Sequence, residues 1–425
     1  MDEKAQLIKL SEENHEPSWL TKRREKAQEQ ISQLTMPKME HFHPGDVDFA
    51  NKSETICTND ASSENVTEDF ETNLIQFGTD TIQTNLSPEM ANKGVVLVDL
   101  FEAFRDLPDF MRKYFMTEVI KGDENKLNAE HLAYLNSGIL LYIPKNVVLD
   151  DPIEVKLIQD STKKLNWYQH LLIVADSNSS CRFLQHLTTV GEESNIANMM
   201  VEIIAKPGSH VEFSSVEELS KKTTFYFDRH AKIEKDAHVE WAVGLMNSCD
   251  TLGEIDSELV GEGSYANSQL VSVTSDKQKY FINNRVTNRG PHSTGLINQR
   301  GVLLDQSKLI FNGIGQIVHG AHGSKADQQN RVLMMSPDAR GDANPLLLID
   351  ENDVIAAHAA SVGPVDPVQM NYLMSRGIPY DQAQRLVIRG FLGAVLDAVP
   401  DKDVRQKMID ILERKLINGQ KYQAN

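Results

Sequence analysis

His358 stands between alanines in VIAAHAASVG, at the end of an apolar run that reads as buried. A neutral imidazole is a competent ligand for iron and other borderline metals. Small neighbours leave room for a second surface to approach it. No cysteine follows Cys249, so no thiol from the last part of the chain can complete a site there. The residues fit equally a histidine hydrogen-bonded at a strand end or at a dimer interface. His319 and His322 are three apart in VHGAHG, a spacing that puts both on one metal if the segment is a helical turn. Nothing adjacent completes a ligand set, and polar residues in a turn account for them as well. His210, His238 and His292 recur at repeat positions, where a ladder stacked along one face is expected.

The cysteines, Cys57, Cys181 and Cys249, are far apart, odd in number and without a CxxC, so neither a disulfide framework nor a Cys-rich zinc site is supported. Cys181 and Cys249 read as buried structural thiols. The phosphate-cradling G-x-x-x-x-G-K-[ST] is absent, and HGSK at 322–325 lacks its spacing. Also absent are H-E-x-x-H, G-x-S-x-G and a G-x-G-x-x-G between strand and helix.

The elements that must position His358 repeat. ADSNSSCRF (175–183), AKPGSHVEF (205–213) and EKDAHVEW (234–241) each run from a small or polar turn into an alternating strand that ends in an aromatic residue. GEGSYANSQL (261–270) and TNRGPHSTGL (287–296) are looser copies. The aromatics Phe183, Phe213 and Trp241 are spaced by 30 and 28 residues. Such a period is the mark of a solenoid, whose units bury their apolar faces only by stacking. A propeller blade needs a longer unit, and a β-sandwich is the competing architecture.

Helices flank this region. PSWLTKRREKAQEQISQL (17–34) reads as a polar helix opening at Pro17 and Ser18, and apolar residues from Leu100 to Met111 continue helically with a break at Pro108. Residues 43–73 are polar and read as loop. After Pro364, Asp366 caps a helix with Pro367 in its first turn and Gly377 at its end. Pro400 stops a second tail helix, and Val404, Met408, Ile411, Leu412 and Leu416 form the apolar stripe of a third. The expected organisation is a helical region over 1–135 with a polar segment at 43–90, a β core over 136–363 and a helical domain over 364–425.

With 425 residues, 40% of them hydrophobic, and a net charge of -18, the chain is set against nucleic acid and anionic membranes, which need Lys and Arg to neutralise phosphate. The start, MDEKAQLIKL, lacks the basic and apolar regions of a signal peptide, and no apolar run approaches a bilayer span. A cytoplasmic location with reduced thiols is expected.

Several segments resemble the SufB/SufD family of SUF iron–sulfur cluster assembly. They are EPSWLTKRREKA (16–27), HLAYLNSGILLYIPKNVVLDDPIEV (131–155), GAHGSKADQQNRVLMMSPDARGDANPLLLIDENDVIAAHAASVG (320–363), YLMSRGI (372–378) and LVIRGFL (386–392). The resemblance implies a mainly β fold, a right-handed parallel β-helix core flanked by N- and C-terminal helical domains. One branch of the family carries a cysteine near the end of the core. This chain has none there, and its H-A-A-S-V-G string resembles the branch with a histidine at the subunit boundary, here His358. Ala359 departs from the glycine usual in the family at that point. The resemblance further implies a non-enzymatic scaffold that pairs through its β core with SufB and docks the ATPase SufC on its C-terminal helices, with Arg376, Gly377, Phe391, Ile411 and Leu412 at that contact. SufC would supply the nucleotide hydrolysis for which this chain lacks a phosphate loop. No intrinsic cofactor is expected; His358 would hold iron or a nascent cluster together with a SufB cysteine. A polysaccharide-active β-helix enzyme and a stand-alone homodimeric metal carrier are the alternatives. The enzyme is disfavoured because its clustered carboxylates do not recur at the repeat positions.

Overall fold

The computed structural model describes residues 3–50, 72–396 and 402–423. The chain begins with α1 (Glu3–Glu13) and α2 (Ser18–Gln30), followed by β1 (Leu74–Phe77), β2 (Asp80–Thr84), α3 (Pro88–Asn92) and β3 (Val96–Asp99). Then come α4 (Leu100–Asp106), α5 (Pro108–Tyr114) and α6 (Lys126–Tyr134). Strands follow in alternation between two sheets: β4 (Ser137–Ile143), β5 (Ile153–Ser161), β6 (Trp167–Ala175), β7 (Ser180–Gly191), β8 (Asn195–Ala205), β9 (His210–Glu218), β10 (Thr223–Ile233) and β11 (His238–Leu245). The series continues with β12 (Asp250–Leu259), β13 (Tyr265–Thr274), β14 (Lys279–Asn288), β15 (Thr294–Leu303), β16 (Lys308–Ile317), β17 (Lys325–Met334), β18 (Arg340–Ile349) and β19 (Ile355–Pro364). The tail is α7 (Pro367–Ser375), α8 (Tyr380–Leu396) and α9 (Lys402–Gln423).

From β4 onward, even-numbered strands pair in parallel with even and odd with odd. The expected β-solenoid is therefore what forms, with about eight turns. The helix expected at 17–34 is α2, and Pro108 starts α5 rather than merely interrupting a helix. The polar segment also holds structure not expected of it: β1 is buried along its length, because it continues the odd sheet beside β5. Residues 51–71 of the expected loop lie outside the described residues, as do Cys57, Pro400 and Asp401.

The repeat has a backbone cause. Asn178, Gly208, Asp236, Gly263, His292 and Gly323 all have positive φ, between 53° and 71°. Each places its N–H on a carbonyl of the next turn, at Pro207, Lys235, Glu262, Pro291, His322 and Asp353 respectively. Gly, Asn and Asp enter the left-handed region most cheaply, which is why small polar residues precede each strand. This register changes the histidine ladder. His210 and His238 are partners across β9 and β11, and Tyr265 and Thr294 continue their row. His292 is two residues earlier, at the left-handed turn position, and its ring meets His322 at 5.2 Å instead.

Three of the apolar clusters among the described residues hold the layers together. The first fills the solenoid, where Phe183, Phe213 and Trp241 pair strand to strand with ring centroids 5.6 and 5.1 Å apart. The second lies between the even sheet and the N-terminal region, joining Leu172, Met200, Tyr226, Leu252 and Phe281 to Leu100, Phe104 and Phe115. The third lies between the odd sheet and the tail, joining Val216, Ala242 and Val271 to Ile388, Leu392, Met408, Ile411, Leu412 and Leu416. Strands β6 and β8 are buried along their whole length because both of their faces are covered.

Candidate functional site at the open end of the solenoid

At the N-terminal end, β2 and β3 close the two sheets by antiparallel pairing. The other end has no such closure. β18 pairs only with β16, and β19 only with β17, so each is the last strand of its sheet. The edge strand β19, IAAHAASVGP, carries no charged residue. Ile355 is 67% exposed, and Leu348, Ile349 and Val362 are also exposed. Monomeric proteins normally blunt such edges with charge, proline, bulges or a covering element.

His358 lies on β19 opposite Gln328 of β17. The alternation on β17 buries Ala326, Gln328, Asn330 and Val332, so this parity faces the solenoid interior. The row runs Phe183, Phe213, Trp241, Ser268, Ile297, Gln328, His358. His358 thus occupies the position that holds an aromatic three times earlier in the chain. It is nevertheless exposed, correcting the expectation of a buried run, because no further turn covers the row. The acidic turn at 350–353 joins β18 to β19, which lie in different sheets and run ten residues each. His358 makes no hydrogen bond among the described residues, so its ring nitrogens are available to a ligand.

The interior near this end includes the buried polar residues Asn284, Gln299, Gln328 and Asn330. Gln299 donates to Asn330 Oδ1 at 2.9 Å, and Gln328 donates to the Leu346 carbonyl at 2.7 Å. Gly313 faces this cluster, and a Cβ there would lie 2.4 Å from Asn330 and 2.5 Å from Gln328.

The remaining candidates are not assembled around a metal. His319 is exposed and stands 3.7 Å from Glu351, while His322 packs on His292. Among the described residues, no group of three or more His, Cys, Asp or Glu is arranged to hold a metal ion. Burial pushes the Cys181 and Cys249 thiols up to about 12, so both are inert packing residues at neutral pH. A cleft of about 1300 Å³ lined by Lys221, Asp276, Gln278 and Asp305 does not include His358.

The tail residues separate by exposure. Asp366 caps α7 and Pro367 opens it, as expected; Arg376 and Gly377 are exposed at the turn into α8, where Gly377 takes φ +84°. Around them Val368, Tyr372, Tyr380 and Leu386 leave apolar surface in solvent. Phe391 is half-buried, with the Arg300 guanidinium 5.3 Å from its ring. Ile411 and Leu412 are buried against the odd sheet with Met408 and Leu416, and the side chain of Val404 lies outside the described residues.

The architecture is a two-sheeted parallel solenoid, closed at one end and ending at the other in two last strands, of which the uncharged β19 carries an exposed histidine. The family profile for the SufBD core domain of SUF-system FeS cluster assembly matches residues 157–391, and that for the SufBD protein N-terminal region matches 2–155. The chain belongs to the SufBD family of SUF iron–sulfur cluster assembly proteins. It is 38% identical over 424 residues to the iron–sulfur cluster assembly protein SufD of Bacillus subtilis, covering 96% of this chain and 97% of the relative. SufBD family proteins of Staphylococcus saprophyticus and Staphylococcus epidermidis are 23% and 24% identical over 326 residues, 76% of this chain and 70% of each relative. Among the described residues no helix is long and apolar enough to cross a membrane.

Sequence reading missed two features of the site. The inward parity of His358 could have been found by counting the repeat onward from Trp241. That β18 and β19 are left uncovered has no local signal, because it depends on the tail helices packing on the odd sheet.

Proposed function

We propose that this chain is a non-catalytic scaffold subunit that pairs end to end with a second β-solenoid, SufB, and helps to hold iron or a nascent iron–sulfur cluster at the junction through His358. The observation that carries this reading is the open end formed by β18 and β19, with His358 on the interior row of the uncharged last strand β19. Strands of a homologous solenoid would satisfy the free backbone groups and cover the exposed Ile355, Leu348 and Val362. A neutral imidazole then supplies one ligand, and a thiolate from the partner supplies the soft one that this chain lacks at that end. Iron and sulfide are the cargo of such a site.

The corner between α7 and α8, where Arg376 and Gly377 sit among exposed Val368, Tyr372 and Tyr380, is the contact offered to SufC. Ile411 and Leu412 support it from within by fixing the tail to the odd sheet. ATP-driven movement of SufC would reach the junction through that docked tail.

Two results test the assembly. Native mass measurement of the chain co-expressed with SufB and SufC is expected to give a complex containing all three. The same edge can also meet a second copy of this chain, and a homodimer that forms in the presence of SufB would favour the metal-carrier reading. Ile411→Asp would bury a charge without a partner, costing about 3 kcal/mol or more. It is expected to lower the melting temperature and weaken SufC co-purification; an unchanged melting curve with full SufC recovery would remove the tail from the docking scheme.

A further inference from the structure

His131 on α6, His170 on β6 and Glu202 on β8 are fully buried where the N-terminal region meets the even sheet. Their contacts run in series. The Asn198 amide nitrogen donates to the Leu127 carbonyl at 2.9 Å, so its oxygen is the acceptor facing His131 Nδ1 at 3.0 Å. His131 Nδ1 therefore bears a hydrogen. A neutral His131 then presents a lone pair at Nε2, and His170 Nδ1, 3.1 Å away, must donate to it. This leaves His170 Nε2 facing Glu202 Oε2 at 3.1 Å. A lone pair and a carboxylate cannot bond without a proton between them.

The surroundings place that proton on the carboxyl group. Burial and the nearby Arg23 guanidinium bring His170 down to about 3. Burial pushes Glu202 up to about 8, against the Met116 and Ile120 amides and the charges of Arg23 and His230, which favour the ionised form. Arg23 on α2 donates to the Phe115 and Met116 carbonyls at 2.9 and 2.8 Å and is faced by Asp123. His230 is in register with Glu202 on β10; although burial opposes it, Asp228 at 2.8 Å holds it protonated.

We propose that the His170–Glu202 pair is a one-proton latch fastening the 115–120 loop and α6 to the solenoid, and that loss of this proton loosens the junction. Glu202 accepts the Met116 amide at 2.7 Å and the Ile120 amide at 3.1 Å, so it is the anchor of the loop. Once deprotonated, its Oε2 meets a bare imidazole lone pair in a site closed to water. Because the folded-state value lies above that of a free carboxyl, this contribution is complete below the free value of 4.5 and is lost as pH rises through about 8.

The test uses the full chain. Difference infrared spectra of wild type against Glu202→Gln, with ¹³C-labelled glutamate, are expected to show a protonated carboxyl at pH 7 that disappears by pH 9. Amide exchange across the 115–120 loop, corrected for intrinsic rates, should lose protection roughly tenfold between those pH values in wild type. The loss should be absent in Glu202→Gln, and also in His170→Gln, whose amide can donate to a carboxylate. A carboxylate already ionised at pH 7, or equal pH dependence in all folded variants, would overturn the latch. If neither variant folds, the wild-type carboxyl signal alone decides.

Discussion

Replacement of His358 by alanine is expected to leave the fold and the complex intact while lowering the iron and acid-labile sulfide of the anaerobically purified complex by about tenfold or more. Loss of even a supporting group of a metal ligand costs ~10–100-fold in affinity, and His358 is proposed as a direct ligand. The fold should not respond. His358 is exposed and makes no hydrogen bond among the described residues, so the change should stay within about 0.5 kcal/mol. His358→Cys restores a ligand and should recover part of the iron. A complex carrying His358→Ala that assembles clusters at the wild-type rate would show that the histidine is only a boundary residue.

Arg229→Met is expected to destabilise the chain by about 3–5 kcal/mol, the cost of leaving one member of a buried ion pair without its partner. Arg229 and Glu217 point into the solenoid with no exposure and bond to each other. The guanidinium lies 4.5 Å from the Phe227 ring centroid, while Glu217 also accepts from Ser215 at 2.9 Å. Removing only the cation leaves a fully buried carboxylate with only neutral donors, the Ser215 hydroxyl at 2.9 Å and the Asn247 amide at 3.5 Å. The double variant Glu217→Leu, Arg229→Met removes both charges and should recover most of the loss. Urea denaturation of the two single variants and the double one measures the coupling. Additive losses would mean that the two charges are solvated independently rather than by each other.

How far the chain could be read from its residues depended on whether a feature repeats locally. The turn phrase repeats because each turn needs one residue in the left-handed region and then a strand with one face inside, and both demands fall on a few consecutive positions. The alternation of Cys181 and Phe183, or Val239 and Trp241, reports that inner face directly. Composition alone cannot separate a histidine at the turn position, such as His292, from one at the first strand position, such as His210 or His238. The buried polar line of His131, His170 and Glu202 carried one faint signal, a glutamate inside the apolar run NMMVEIIA. Its partners come from α6 and β6.

The spacing of aromatics and turn residues specified a stacked β fold, and the caps and apolar stripes specified the tail helices, since those preferences act over a few residues of one chain. Tertiary structure decided which faces are covered. Ile411 and Leu412 read as part of an apolar stripe, and the odd sheet is what covers it, while the alanines beside His358 read as buried until the last turn proves to have no successor. Burial is a property of the neighbours a segment finds in space, and at the open end of this solenoid β18 and β19 have no next strand to cover them among the described residues.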